Sequence, residues 1–347
     1  MSSTELFFQV NDGNNQILNG LTQINKPFRP TPWLYNHHLQ LLWLGMKKQF
    51  GSKLTYDRRD LLTMEDGGTT ALHWLGTHLP ENTPTLIVLS TITGSPHSMR
   101  GFVRDMYRIT GWRIVFCERR GHGNLPVTSP KINTLGDVED FKAQITHIQA
   151  KVPNSALYAI GSSAGTGLLV RYLGEEGCKT AIKAAFAYCP GFNIDVAFSR
   201  ANPFYSKAMT RKLKRHFIEA NSQHFSHLPS YPAIQQSRTL DEFHRNIYEC
   251  AGYASKDEYY QYCNPMNGFE NISIPLFILN AADDPVCVVE NVRDYQQAIA
   301  NMPNLILALT KNGSHCAHFA DWDAKPWAHQ LAAQYFLNLH KQLNLRQ

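Results

Sequence analysis

A serine with glycines on both sides stands in the string GSSAG, residues 161–165. The apolar run ALYAI precedes the string, and an amphipathic helical pattern follows it. A serine on a sharp strand-to-helix turn adopts strained backbone angles, so it needs small neighbours. Such a turn also points the free N–H groups of the helix at the negative charge that develops on a substrate carbonyl. We therefore predict that Ser163 is a nucleophile and that the Ala164 N–H is one donor to the oxyanion. The lysine of a phosphate-binding loop is absent from the string, and Ser162 is interpreted as structural.

A serine nucleophile needs a histidine base, and after a strand–serine–helix turn the expected chain order is Ser, then Asp, then His. Fifteen histidines are present, but only those after the late strands can reach the same sheet edge. Of these, His329 and His340 fall inside a helical pattern. His315 follows an apolar run within a short turn and is the preferred base. His318 is the second choice, and it also begins an H-x-x-x-x-D string that ends at Asp323 and is typical of some acyltransferases.

Two adjacent acids, Asp283 and Asp284, follow the run PLFIL at the predicted exit of a strand. Either carboxylate could orient His315. Pro285 restricts the residue before it to extended conformations, which favours Asp284 as the rigid partner, with Asp283 bonding loop N–H groups. The second oxyanion donor should come from the loop after the run TLIVL, where the N–H of Ile92 has the right position.

These residues need a sheet and helices to bring them together. Six apolar runs are predicted as buried strands: Thr85 to Leu89, Trp112 to Cys117, Ala156 to Ile160, Ile182 to Cys189, Pro275 to Leu279 and Asn304 to Leu309. Four stretches carry apolar residues at helical spacing: Leu135 to Ala150, Ala164 to Leu173, Val288 to Ala300 and Trp327 to Leu343. The alternation predicts an α/β fold with a mostly parallel sheet covered by helices on both faces.

The order of elements also predicts domain boundaries. Residues 51–189 and 266–347 should form the core, and residues 190–265, which contain helical pieces but no buried strand, should form a helical cap insertion. Residues 1–50 are rich in proline, asparagine and aromatics, and we expect an irregular arm packed on the core. The apolar face of the cap should shape an acyl pocket, with Phe204 and Tyr205 as its candidate lining.

Composition excludes several classes of protein. A chain of 347 residues with 43% hydrophobic residues can bury a large core, and a net charge of +5 is too mild and scattered for nucleic acid. At most it favours weak association with acidic membrane surfaces. The basic run 211–215 is interpreted as a solvated helix face. Seven widely spaced cysteines indicate neither a disulfide framework nor a zinc site, and no metal or cofactor is expected. The N-terminal stretch lacks the regions of a signal peptide, and no apolar run is long enough to span a membrane, so we expect a cytoplasmic protein.

Several ordered motifs together resemble the YheT-like branch of the α/β hydrolases. These motifs are His38-Leu39-Gln40, Glu65-Asp66-Gly67, Arg120-Gly121-His122-Gly123, residues 161–165, Thr239 to Phe243, Gly252 to Ser255, Asp283-Asp284-Pro285 and Gly313-Ser314-His315. By position, the family's nucleophile falls on Ser163, its acid on Asp284 and its histidine on His315. The chain departs from the family pattern at Ser90-Thr91, at His244 and at Cys316-Ala317. The resemblance implies hydrolysis of carboxylic esters or acylglycerols, with acyl transfer to alcohols as a variation.

The leading hypothesis is a serine esterase, lipase-like, that cleaves carboxylic esters through an acyl-serine intermediate. Medium- or long-chain acyl esters, including acylglycerols, are the candidate small-molecule substrates. Two alternatives remain: an acyltransferase that passes the acyl group to an alcohol, and a noncatalytic ligand-binding protein on a hydrolase fold. Substrate-binding residues and the oligomeric state do not follow from the sequence.

Overall fold

A nine-stranded sheet forms the centre of the computed structural model, which describes residues 4–344. Its strands in chain order are β1 (Glu5–Phe8), β2 (Arg58–Thr63), β3 (Thr69–Leu75), β4 (Thr85–Leu89), β5 (Arg113–Glu118), β6 (Leu157–Ser162), β7 (Ile182–Tyr188), β8 (Leu276–Ala281) and β9 (Leu305–Thr310). Their order across the sheet is β1-β9-β8-β7-β6-β4-β5-β3-β2. The six strands from β4 to β9 pair in parallel, whereas β1, β2 and β3 join the two edges in antiparallel fashion. Two short strands, β10 (Phe319–Ala320) and β11 (Lys325–Pro326), pair separately.

Helices cover both faces of this sheet. They are α1 (Asp12–Asn19), α2 (His37–Phe50), α3 (Arg100–Thr110), α4 (Glu139–Lys151), α5 (Ala164–Glu176), α6 (Ile194–Arg200), α7 (Pro203–Leu213), α8 (Ser222–Phe225), α9 (Tyr231–Gln236), α10 (Leu240–Asn246), α11 (Lys256–Cys263), α12 (Val289–Ala300) and α13 (Trp327–Asn344). One apolar cluster lies between the sheet and α1, α3 and α13, and a second lies between the sheet and α4, α5 and α12. The predicted α/β-hydrolase fold class is confirmed. Within residues 4–344, every helix falls short of the length and apolar character that crossing a membrane would require.

All six predicted strands are present, displaced at their ends by at most two residues. The runs could be identified because these parallel strands are buried on both faces, so that almost every position is apolar. The antiparallel strands β2 and β3, of which β2 forms the edge of the sheet, were missed. Strand β2, with the sequence RRDLLT, is largely exposed and carries charged residues, as edge strands often do.

The expectation of an irregular arm is wrong for much of residues 4–50, while residues 1–3 lie outside the described part of the chain. This segment contributes β1, which pairs with β9, and the helices α1 and α2. Asn11 and Asn36 start the two helices by accepting hydrogen bonds from backbone N–H groups through their side chains. The apolar side chains of this segment are buried to different extents: Leu34 is buried, whereas Leu42 on α2 is 60% exposed.

Residues 190–265, which the structure describes in full, contain the helices α6 to α11 and no strand. Their apolar side chains form a third cluster that also includes Ile92, Val127 and Ile132 from the loops after β4 and β5. The segment therefore packs over the carboxyl ends of the parallel strands, where ligands bind in open α/β sheets. The domain boundaries themselves remain predictions.

Candidate active site

Ser163 lies on the sharp turn between β6 and α5. Its backbone has φ +52° and ψ −120°, a strained conformation for a residue with a side chain, and its N–H donates to the Tyr188 carbonyl at 2.9 Å. The two glycines of the string have a steric reason. A Cβ on Gly161 would lie 2.5 Å from the Gly165 carbonyl oxygen, and one on Gly165 would lie 2.5 Å from that of Leu89. The turn is possible only because both side chains are absent.

His315 lies in the loop after β9 and connects the two other predicted residues. Its Nε2 is 2.8 Å from the Ser163 Oγ, and its Nδ1 is 2.8 Å from the Asp284 Oδ2. The loop is tightly wound, since Ser314 and Cys316 both have positive φ. The preceding Gly313 has φ +143°, and a Cβ there would lie 2.3 Å from the His318 ring. The geometry is that of a nucleophile, a base and an orienting carboxylate in one hydrogen-bonded chain.

The two adjacent acids have different partners. The Oδ1 of Asp284 accepts hydrogen bonds from the N–H groups of Val286 and Cys287 at 2.8 and 2.9 Å, which leaves Oδ2 for His315. The Oδ1 of Asp283 instead accepts from the Ser314 N–H at 2.8 Å. Asp283 therefore contacts the backbone of the histidine loop and not the imidazole ring.

Charge and burial give the two histidines of this loop different pKa values. Burial alone would lower the pKa of His315, but the Asp284 carboxylate raises it well above its usual value. Within residues 4–344 no such carboxylate contacts His318, and burial lowers the pKa of its ring to about 3. Its ring lies between the Tyr188 hydroxyl at 3.0 Å and the Thr310 hydroxyl at 2.9 Å. His318 is therefore a neutral packing residue, and Asp323, the end of the H-x-x-x-x-D string, is exposed.

The two predicted oxyanion donors lie at the same cavity as Ser163. Ile92 and Ala164 both line the cavity that contains Ser163. Within the described part of the chain, neither N–H donates to another backbone carbonyl. These two N–H groups are therefore available to a substrate oxygen.

Sequence reasoning missed the residues that hold the Ile92 loop. Arg119 is 3% exposed, and its guanidinium donates to the Ser90 and Thr91 carbonyls at 3.2 and 2.7 Å. The Nε2 of His122 lies 3.0 Å from the Ile92 carbonyl oxygen. The motif Arg120-Gly121-His122-Gly123 was the available signal, but nothing in it indicates which loop it contacts.

The cavity at Ser163 is apolar and measures about 60 Å³. Its cap-side lining includes Ile194, Phe198, Met209 and Leu240. The predicted lining by Phe204 and Tyr205 is wrong. Phe204 is 74% exposed on the outer side of α7.

Tyr205 and His244 of the cap contact other aromatic side chains. The Tyr205 hydroxyl lies 2.6 Å from the Nδ1 of His38 and so connects the cap to α2. His244, one of the departures from the family pattern, is buried and stacks on Phe198 with ring centroids 3.9 Å apart. Burial lowers the pKa of His244 to about 4, so the ring is neutral and serves as an apolar support for the cavity wall.

Within residues 4–344, two groups of side chains could hold a metal ion. They are Cys189, His315 and Cys316, and Asp284, Cys287 and His315, with the ligand atoms of each group within 4.8 Å of one another. Both groups use His315, whose two ring nitrogens already contact Ser163 and Asp284. A metal bound at either place would compete with those hydrogen bonds.

Comparison with known proteins places this geometry in a family. The family model described as serine aminopeptidase, S33, matches residues 98–321. The embryogenesis-associated protein EMB8 of Picea glauca is 27% identical over 96% of this chain and 77% of its own length. The mouse phospholipase ABHD3 is 25% identical over 84% of this chain and 73% of its own length. The human monoacylglycerol lipase ABHD2 is 24% identical over 95% and 84% of the two chains.

Solved structures agree on the fold. The Pyrococcus furiosus esterase Pf2001 superposes with a TM-score of 0.54 at 20% identity, covering 82% of this chain and 95% of the esterase. The carboxylesterase EstE1, cloned from a metagenomic library, gives 0.53 at 14% identity over 87% and 97% of the two chains. Because the family model covers more than half of its residues and the fold agrees, this chain belongs to the serine aminopeptidase S33 family of the α/β-hydrolase superfamily.

Proposed function

We propose that this protein is a serine hydrolase that cleaves carboxylic esters through an acyl-serine intermediate. The observation that carries the proposal is the continuous hydrogen-bonded chain from the Ser163 Oγ through His315 to Asp284, with 2.8 Å at each link. Ser163 would attack the ester carbonyl carbon while the Nε2 of His315 accepts its proton. Asp284 would hold the Nδ1–H tautomer and stabilise the imidazolium that forms.

The remaining steps use the same groups and water. The oxyanion of the tetrahedral intermediate would be held by the N–H groups of Ile92 and Ala164. Collapse of the intermediate breaks the ester C–O bond, and His315 returns its proton to the leaving alkoxide, which departs as the alcohol. His315 then deprotonates a water molecule that attacks the acyl-serine, and the carboxylic acid leaves as Ser163 regains its proton.

Medium- or long-chain acyl esters are the proposed substrates. The cavity that begins at Ser163 is lined by apolar side chains of the core and the cap, which suits an acyl chain. Relatives of the chain include a monoacylglycerol lipase and a phospholipase, and these names favour hydrolysis over acyl transfer or noncatalytic binding.

Weak association with a membrane surface is a further part of the proposal. Large apolar side chains are exposed on the arm, the cap and the loop before α13, and membrane-contacting surfaces have this character. They are Trp33, Leu42, Met46, Phe50, Phe204 and Trp322.

A fluorophosphonate probe tests the nucleophile directly. The probe should label Ser163, and Ser163→Ala should abolish labelling and reduce kcat on the order of a million-fold, since removing the nucleophile disables the whole triad. Ser162→Ala is the matched control, because its side chain is the same and its position is one residue away. Residual turnover of Ser163→Ala above about a thousandth of wild type would show that another residue is the nucleophile.

A further inference from the structure

A second cavity lies on the other side of the catalytic residues, between α2, α3 and the histidine loop. It measures about 240 Å³. Its inner end is formed by Thr91, Ser162 and Cys316, which are the chain neighbours of Ile92, Ser163 and His315. A group bound at this inner end would contact the chain neighbours of the candidate catalytic residues without occupying the apolar cavity under the cap.

The cavity is lined by more cations than carboxylates. Lys47, Lys48 and Arg104 contribute positive charge, whereas Asp105 is the single carboxylate of the lining residues, and its Oδ2 already lies 2.7 Å from the Nδ1 of His329. Arg104 donates to the carbonyl oxygens of Ser52 and Lys53, which are neutral partners. The excess positive charge therefore has no carboxylate of this cavity to balance it.

Lys48 is the most informative of these residues. It is only partly exposed, yet within residues 4–344 its ammonium group has no hydrogen-bond or ion-pair partner. Burial lowers the pKa of Lys48, the charge of Cys316 opposes that effect, and the like charge of Lys212 on α7 lowers the pKa further. Partial removal of a charge from water costs free energy, and a bound anion would offset that cost.

We propose that this cavity binds the anionic group of an ester substrate, a phosphate or a carboxylate, with Lys48 as its partner. The inference rests on the proposed function and specifies its substrate class: an acyl ester with a negative charge on the side of the scissile bond opposite the acyl chain. The acyl chain would occupy the cavity under the cap, the ester carbonyl would lie at Ser163, and the anion would lie against α2.

Two soluble esters that differ only by a phosphate group test the proposal. Hexanoylglycerol and hexanoylglycerol phosphate have the same short acyl chain, and the ratio of their kcat/KM values isolates the contribution of the phosphate. Wild type should prefer the phosphate ester. Lys48→Gln should lower that ratio about tenfold, mainly through KM, because one charged hydrogen bond is lost. Lys48→Arg should restore most of it.

A matched control removes a charge elsewhere on the protein. Lys207 is an exposed cation of α7 that does not line the cavity, so Lys207→Gln should leave the ratio unchanged. An equal loss in Lys207→Gln would mean that only net charge matters, and the proposal would be overturned. A wild-type ratio near one that Lys48→Gln does not change would overturn it as well.

Calorimetric titration separates this inference from the proposed function. Hexanoylglycerol phosphate should bind the Ser163→Ala variant, and adding Lys48→Gln should weaken that binding about tenfold. This readout needs no catalysis, so it reports on the cavity even if the fluorophosphonate probe fails to label Ser163. Inorganic phosphate is the second ligand. If it binds in a Lys48-dependent way while the ester ratio stays unaffected, the anion is a separate effector and the substrate assignment is wrong.

Discussion

Replacing Asp284 by asparagine is the sharpest single perturbation of the candidate site. The substitution keeps the size of the side chain and removes its charge. The amide oxygen can still accept from the N–H groups of Val286 and Cys287, so the loop should keep its shape. What changes is the group 2.8 Å from the Nδ1 of His315.

The size of the effect follows from that distance. Two unit charges 2.8 Å apart interact by about 6 kcal/mol at an effective dielectric constant of about 20. This interaction is gained when His315 becomes positively charged as it accepts the Ser163 proton. An increase of about 6 kcal/mol in the barrier corresponds to about four powers of ten in rate. We therefore expect Asp284→Asn to lower kcat by about 10⁴, which is also the typical cost of the wrong imidazole tautomer.

The pH profile provides a second readout of the same interaction. The base must be unprotonated, and Asp284 raises the pKa of His315 well above 6.5 against the opposing effect of burial. The kcat/KM of wild type should therefore fall as the pH drops through a midpoint above 6.5. In Asp284→Asn the largest contribution that raises this pKa is removed while burial still lowers it, so the midpoint of the residual activity should move to lower pH.

Asp283→Asn is the matched control, because it makes the same change one residue earlier. Asp283 accepts from the Ser314 N–H at 2.8 Å, and an asparagine oxygen can still do so. We expect kcat within about tenfold of wild type and a loss of about 1 kcal/mol in the free energy of unfolding. The assay is the kcat of both purified variants over a range of pH. If Asp283→Asn is the inactive enzyme and Asp284→Asn stays near wild type, the assignment of the orienting carboxylate is refuted.

Three further predictions concern the surroundings of the site. Phe198→Ala should lower kcat/KM for an octanoate ester about tenfold more than for an acetate ester, because the Phe198 ring lines the apolar cavity. An equal loss for both esters would contradict this prediction, and so would the same effect in the control Phe204→Ala, whose side chain is exposed. Burial raises the pKa of the Cys316 thiol, but its hydrogen bond with Cys189 and the charge of His315 outweigh burial and lower it. A thiol with a lowered pKa reacts faster, so methyl methanethiosulfonate should inhibit the wild type and should not inhibit Cys316→Ser. The control variant Cys178→Ser, which lacks an exposed cysteine, should be inhibited like the wild type. Gly165→Ala should cost about 1–3 kcal/mol of stability in urea unfolding, because the new Cβ meets the Leu89 carbonyl at 2.5 Å, and an unchanged midpoint would show that the turn can adjust.

Much of the fold could be predicted from local patterns. The six parallel strands are buried on both faces, so each appears in the sequence as an almost continuous apolar run. The turn around Ser163 could be recognised because its glycines are adjacent in the chain and their steric requirement is local. The edge strands and the N-terminal arm were harder to predict from the sequence. Strand β1 has only four residues and is held by its pairing with β9, about 300 positions away.

The sequence by itself determined the order of the elements, the glycines that permit the turn at Ser163 and the loops at which an acid and a base can emerge. Only the tertiary structure decided which side chains meet there. It brought His315 within 2.8 Å of Ser163 while burying His318, three residues later, between two hydroxyl groups. It also placed Phe198 in the cavity, Phe204 in solvent and Lys48 at the second cavity. The physical reason is range: backbone conformation and burial depend largely on neighbouring residues, whereas the direction and partner of a side chain depend on packing between segments far apart in the chain.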